Sequence, residues 1–186
     1  ACDLNNDGYP ELLAASYGRA PNHLFVAQGE SKSFAYVNSS VSSGYAFDDR
    51  KDWTTDQSAR CYCKLHPTAT GCAGVSTDLS MRCTQESDAA RWDNDSGRET
   101  YRLGGNSAAT ICADVNNDGY QDLITSEIVH WDVGTSSDPA ELLLNTQDPK
   151  VKFTRPGNEV TGLLRYHASA DWNEGIMSGS ALDFDN

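Results

Sequence analysis

The 186-residue chain is poor in positive charge. Fourteen Lys and Arg stand against 27 Asp and Glu, for a formal net charge of −13. No stripe of Lys and Arg runs along it to neutralise phosphates, which argues against nucleic acid as a partner. No apolar run approaches the length that spans a bilayer. No signal peptide is visible and the chain opens directly on a loop motif, so it reads as a mature or truncated piece. Catalytic signatures are missing too: there is no G-x-S-x-G, no H-E-x-x-H and no P-loop. His23, His66, His130 and His167 are scattered and read as surface or packing residues. The expectation is a protein that is not an enzyme.

What is present is a repeated acidic loop. Asp3-Leu4-Asn5-Asn6-Asp7-Gly8-Tyr9-Pro10-Glu11 recurs 111 positions later as Asp114-Val115-Asn116-Asn117-Asp118-Gly119-Tyr120-Gln121-Asp122. A third copy starts at Asp183-Phe184-Asp185-Asn186. Oxygen-bearing side chains fall at positions one, three and five. A glycine at six permits the sharp turn that aims them inward. Position seven (Tyr9, Tyr120) offers a backbone carbonyl, and position nine (Glu11, Asp122) a further carboxylate. Such an all-oxygen set suits Ca2+, a hard cation that takes six to eight oxygens. An EF-hand would need an acid at position twelve, where Ala14 and Thr125 stand instead. A plain Asn/Asp/Gly turn would explain one copy, but two full copies favour calcium. The expected metal ligands are Asp3, Asn5, Asp7, Tyr9 and Glu11, then Asp114, Asn116, Asp118, Tyr120 and Asp122, then Asp183 and Asp185. Eight of the 27 acids lie in these loops, so much of the acidity belongs to them.

Six cysteines, Cys2, Cys61, Cys63, Cys72, Cys83 and Cys112, are even in number and dispersed, as in a disulfide framework of an oxidising compartment. Zinc is the rival, since Cys61-Tyr62-Cys63 is followed by His66, but zinc-ribbon spacing is not met. Three connectivities are open among Cys61, Cys63, Cys72 and Cys83. Cys2 and Cys112 stand at like places before their loops; they pair with each other, or Cys2 pairs outside this chain. Asn38 and Asn94 head N-x-[ST] sequons, the mark of glycosylated surface loops in a secreted protein. The alternating acids of Asp93 to Glu99 read as a solvated turn rather than a further cation site.

The repeat extends beyond the loops. In the first unit, strands are expected over Glu11 to Ser16, His23 to Ala27 and Ser33 to Val37. In the second they fall over Asp122 to Ile128, Glu141 to Asn145 and Val151 to Thr154, with Phe153 matched to the strand around Phe34. The units occupy residues 1–48 and 104–178, separated by a polar, cysteine-bearing insertion at 49–103 with no clear periodicity; 179–186 begins the third loop. The fold class is therefore all-β. Small antiparallel sheets in fixed repeats pack radially as propeller blades, and about two and a half such units are present. They would form part of a larger propeller or assembly. His130-Trp131-Asp132 lies on a long connection, where binding residues concentrate. Trp131 there either meets a sugar or protein, or folds back over a sheet.

D-x-N-x-D-G-x-x-[DE]-L between two strands resembles the calcium signature of FG-GAP/VCBS repeats, the integrin-α-type β-propellers. The approach Asn106-Ser107-Ala108-Ala109 and the strand Pro21-Asn22-His23-Leu24-Phe25 are most similar to the cartilage acidic protein/UnbV-type branch. The resemblance covers residues 1–48 and 104–186; the insertion has no counterpart in it. It implies an extracellular, secreted or cell-surface propeller whose Ca2+ ions rigidify blade edges. Loops on one face would bind a protein or glycan ligand in adhesion. Two other readings stand beside it. One is a structural subunit of an extracellular assembly, completed by neighbouring chains through self-association at exposed strand edges. The other is a lectin-like or accessory domain of a secreted hydrolase.

Overall fold

The structure is a computed structural model that describes residues 1–17, 21–47, 57–89, 107–126, 128–129, 140–163, 174–175 and 178–182. The described residues form mostly short strands in antiparallel sheets, with few helices. The first sheet has the order β1 (Leu12–Ala14), β2 (His23–Ala27), β3 (Tyr36–Asn38). Leu12 lies opposite Phe25, Leu13 opposite Leu24 and Ala14 opposite His23; on the other side Phe25 lies opposite Asn38 and Ala27 opposite Tyr36. After the helix α1 (Gln57–Leu65) comes the second sheet, with the order β4 (Thr110–Ala113), β5 (Asp122–Thr125), β7 (Glu141–Asn145), β8 (Phe153–Thr154). β6 (Ile128–Val129) pairs with β9 (Glu174–Gly175), and a one-turn helix α2 (Asn158–Thr161) follows β8.

The two sheets share one plan. β1, β2 and β3 occupy the places of β5, β7 and β8. The counterpart of β4 is reduced to a single bridge, Cys2 to Glu11, which matches the pair Ala113 to Asp122. The registers set Leu12 level with Leu123, Phe25 with Leu143, and Tyr36 with Phe153. This corrects the third strand, where Phe153 was matched to the strand around Phe34. Ser33 and Phe34 sit at φ 55° and 57°, left-handed values that cannot continue a strand, so β3 begins at Tyr36. Asp122 to Ile128 likewise divides into β5 and β6.

Strand alternation puts neighbouring residues on opposite faces. One face of the first sheet presents Leu13, Leu24 and Val26. The opposite kind of face on the second sheet presents Cys112, Leu123, Leu143 and Phe153. These two faces meet, and with Leu4, Tyr45 and Val151 they make the main core. The Cys2–Cys112 disulfide crosses the same interface. Tyr45 adds a hydroxyl contact of 2.6 Å to Thr110 Oγ1, and Asn22 Nδ2 donates to Ser107 Oγ at 3.3 Å.

The described part of the insertion is not structureless. α1 is a nine-residue helix that carries Cys61 and Cys63. Cys61 pairs with Cys83 and Cys63 with Cys72, so all six cysteines are disulfide-bonded. The core here is small: Cys61, Cys83 and Ala89, flanked by Tyr62, Leu65 and Leu79. A helix this short is marginal by itself. Two crosslinks and this cluster hold it, which explains why apolar periodicity did not announce it. No described helix is long and apolar enough to cross a membrane.

Candidate functional site

The two loops fold alike. Asp3 Oδ1 accepts the Asp7 N–H at 3.1 Å and Asp3 Oδ2 the Gly8 N–H at 2.9 Å. Asn5 Oδ1 also takes the Asp7 N–H, and Asp7 Oδ1 takes that of Tyr9 at 2.9 Å. In the second loop Asp114 accepts from Asp118 and Gly119 at 3.1 and 2.8 Å, Asn116 from Asp118 at 3.0 Å, and Asp118 from Tyr120 at 2.9 Å. The turn depends on left-handed residues at two points. Asn6 and Asn117 sit at φ 57° and 58°, a region asparagine tolerates; Gly8 and Gly119 both sit at φ 86°, where a side chain would be strained.

The position-nine acids have a role the motif did not suggest. Glu11 is fully buried: Oε2 accepts the N–H of Leu4 at 2.7 Å and Oε1 that of Ala27 at 3.4 Å. Asp122, also fully buried, accepts from Val115 at 3.1 Å and from Asn145 at 2.7 Å. Each carboxylate thus ties the second residue of its loop to the neighbouring strand, β2 or β7. Burial pushes the Glu11 carboxyl above its ordinary value; the two N–H donors pull it down, and Asp7 and Asp3 push it up further. The Asp122 carboxyl is raised by burial in the same way, with Asp118 and Asp114 adding to the effect. Asp118 goes the other way, held low first by the Tyr120 N–H and then by Gln147 and Asn116.

Each loop therefore assembles two exposed or half-exposed acids, an amide oxygen and one buried acid, and no described residue forms an ion pair with any of them. Every side-chain donor is oxygen, which fits a hard divalent cation and not a thiophilic one. Among the described residues, however, no three His, Cys, Asp or Glu side chains are gathered as a ready-made metal site. Both oxygens of each position-nine acid are already engaged by backbone N–H groups, each retaining one further lone pair.

The loops lie against one another through the sheet interface. Asn6 Nδ2 donates to the Gly119 carbonyl at 2.9 Å, and Asn145 Nδ2 to the Leu4 carbonyl at 2.7 Å. Sequence reasoning missed Asn145. The available signal was a lone amide in an aliphatic strand, where the first unit has Ala27. Beside the first loop opens a groove of about 800 Å³, bordered by Asn5, Asp7, Tyr9, Glu30, Lys150 and Lys152. Gly29 lies on its wall, where a Cβ would come within 3.0 Å of the Tyr9 ring.

Of the remaining candidates, Asn38 is exposed on β3. Its Oδ1 accepts from the Ser40 N–H at 3.0 Å and the Ser40 hydroxyl at 2.6 Å. His66 Nε2 lies 2.9 Å from Glu86 and its ring packs on Tyr62, while His23 stacks on Phe25. Asp183, Asp185, Asn94, His167 and the segment His130 to Asp132 lie outside the described residues. No family model matches the chain, and neither a curated protein nor a solved structure matches it.

Proposed function

We propose that this chain is a non-enzymatic, extracellular, calcium-stabilised binding module built from FG-GAP-like β-propeller repeats. The observation that carries the reading is the doubled loop. Two segments 111 residues apart adopt the same hydrogen-bonded turn and present the same oxygen donors. In each, a buried carboxylate lies close enough to two further acids to be pushed up by them. A cation held by Asp3, Asn5, Asp7, the Tyr9 carbonyl and Glu11, and a second by Asp114, Asn116, Asp118, the Tyr120 carbonyl and Asp122, would relieve that repulsion. It would supply positive charge and rigidity, not chemistry.

Three disulfides accord with an oxidising, extracellular setting. A binding role draws support from the groove between the first loop and the 148–152 turn, whose lining includes Asp7 and Glu30 as well as Lys150 and Lys152. A polar protein segment or a glycan would find donors and acceptors of both kinds there. Calorimetric titration of the chelator-treated protein with CaCl2 tests the cation. Two binding events and a rise in melting temperature are expected, both weakened in Asp7→Asn and Asp118→Asn. An unchanged melting temperature with and without chelator would overturn the reading.

A further inference from the structure

The two sheets do not pack through equivalent faces. The first uses the face of Leu13, Leu24 and Val26; the second uses the face of Leu123, Leu143 and Phe153. By register these belong to opposite sides of the common plan, so the contact is heterologous, and among the described residues one face of each kind takes no part in it. On the first sheet the unused face carries Leu12, Phe25 and Tyr36, the equivalents of Leu123, Leu143 and Phe153. The contrast in exposure is large: Leu12 is 43% and Tyr36 40% exposed, against 0% for Leu123 and 8% for Phe153. On the second sheet the other face carries Ile124, Leu142, Leu144 and Thr154, the equivalents of Leu13, Leu24, Val26 and Val37, and at its β4 edge Gly179 already lies against Ile111. The first three are half-buried and Thr154 is exposed.

We infer that the face of Leu12, Phe25 and Tyr36 docks the Ile124–Leu142–Leu144 face of a second copy of this chain. The molecule itself shows what covers a face of this kind. Leu123, Leu143 and Phe153 are buried under a face bearing three aliphatic side chains in the pattern of Leu13, Leu24 and Val26. The described residues present one more face of that pattern and one more face of the kind it covers. Copies therefore associate head to tail, each contact repeating the internal one. The docking positions are mostly aliphatic or aromatic: by register His23, stacked on Phe25, shares the first face, Asp122, fully buried, shares the second with Ile124, and Asn38 and Thr154 stand at the β3 and β8 rims. A glycan on Asn38 would stand on the first of these faces, level with Phe25, and oppose docking.

Because the contact uses no loop acid, the inference is independent of the calcium reading, and its test is run with both CaCl2 and chelator. Sedimentation velocity over rising protein concentration reads the mass. The expected result is growth from one copy to two and more. Leu12→Lys spoils one face and Thr154→Lys, an exposed position, spoils the other; each variant alone is expected to stay at one copy. Their equimolar mixture still holds one sound face of each kind and is expected to form two-copy species and nothing larger. Circular dichroism confirms that both variants keep the wild-type spectrum, and Tyr36→Lys replaces Leu12→Lys if that variant does not. A wild-type chain that stays at one copy throughout overturns the inference, as would follow if another part of a longer polypeptide covers the face. So does a mixture that fails to pair, or a Leu12→Lys effect that Thr154→Lys does not share, which would indicate a like-with-like dimer.

Discussion

Asn145 on β7 donates its side-chain amide to the carbonyl of Leu4 at 2.7 Å, joining the second sheet to the first acidic loop. The same amide group donates to Gln121, and its carbonyl accepts from Gln147. The residue is 6% exposed, so water does not readily replace these partners. Asn145→Ala leaves the Leu4 carbonyl short of a donor at a buried interface. It is expected to cost about 1–3 kcal/mol of stability, read by urea denaturation. A loss confined to a few tenths would mean that the interface relaxes around the gap.

The buried acids act as staples in each unit. Glu11→Ala strips the acceptor from the Leu4 and Ala27 N–H groups, and Asp122→Ala from those of Val115 and Asn145. Each is expected to lower stability by roughly 2–4 kcal/mol without calcium, allowing about 1–3 kcal/mol per stranded donor and some offset from the charge removed. Thermal melts in chelator check this, since an ion-only role for Glu11 and Asp122 would leave the metal-free protein unchanged.

The raised carboxyls fix the sign of a pH effect. A folded-state value above the unfolded one means that the native state binds the proton more tightly. The contribution is then full below the unfolded value and is lost as pH rises through the folded one. For Glu11 and Asp122 the decline begins around the ordinary values of 4.5 and 3.8 and extends upward from there. In chelator, melting temperature should therefore fall across that window; the lowered Asp118 acts in a separate window below 3.8, where its stabilisation is lost as pH falls. With saturating CaCl2 the fall should vanish. A calcium-free melting temperature that climbs steadily through the same window would show that the burial of these two acids does not govern the response.

The disulfides should differ in weight. Cys2–Cys112 closes a separation of 110 residues and Cys63–Cys72 one of 9. On chain entropy alone, the first is worth on the order of 4–5 kcal/mol and the second about 2–3. The paired Cys→Ser double variants, compared by denaturant titration, should follow that order, and a non-reducing peptide map checks the connectivity itself. A larger loss for the short loop would place the effect in the native packing around α1.

Arg155 Nε lies 2.7 Å from Glu141, and its Nη2 donates to the Phe47 carbonyl at 2.6 Å, with the guanidinium largely buried. It belongs to the covered face of the second sheet, in the register place that Asn38 holds on the open one. Arg155→Lys keeps the charge but cannot reach both acceptors in one plane. It should lose about 1–2 kcal/mol, and Arg155→Ala more, because the half-buried Glu141 carboxylate then loses this cation as well. Denaturation of the two variants together separates geometry from charge.

By itself the sequence determined whatever depends on local chemistry. The loops were legible because left-handed turns demand Asn and Gly at fixed places, and because oxygen donors at alternate positions are conspicuous. β2 and β7 were legible, bounds included, because apolar runs between turn residues leave few alternatives. An even set of cysteines announced disulfides. Tertiary structure decided what depends on distance along the chain. It chose Cys2–Cys112 over an outside partner by bringing two sheet faces together. It turned Glu11 and Asp122 toward backbone donors of a neighbouring strand, which no spacing rule encodes. It set α1 in the insertion by crosslinks and a small core where periodicity was silent, and it displaced β3 because Phe34 lies in a left-handed turn. It also decided which of two apolar faces per sheet is buried: alternation marks both as apolar, and only packing covers one and leaves Leu12 and Tyr36 in water.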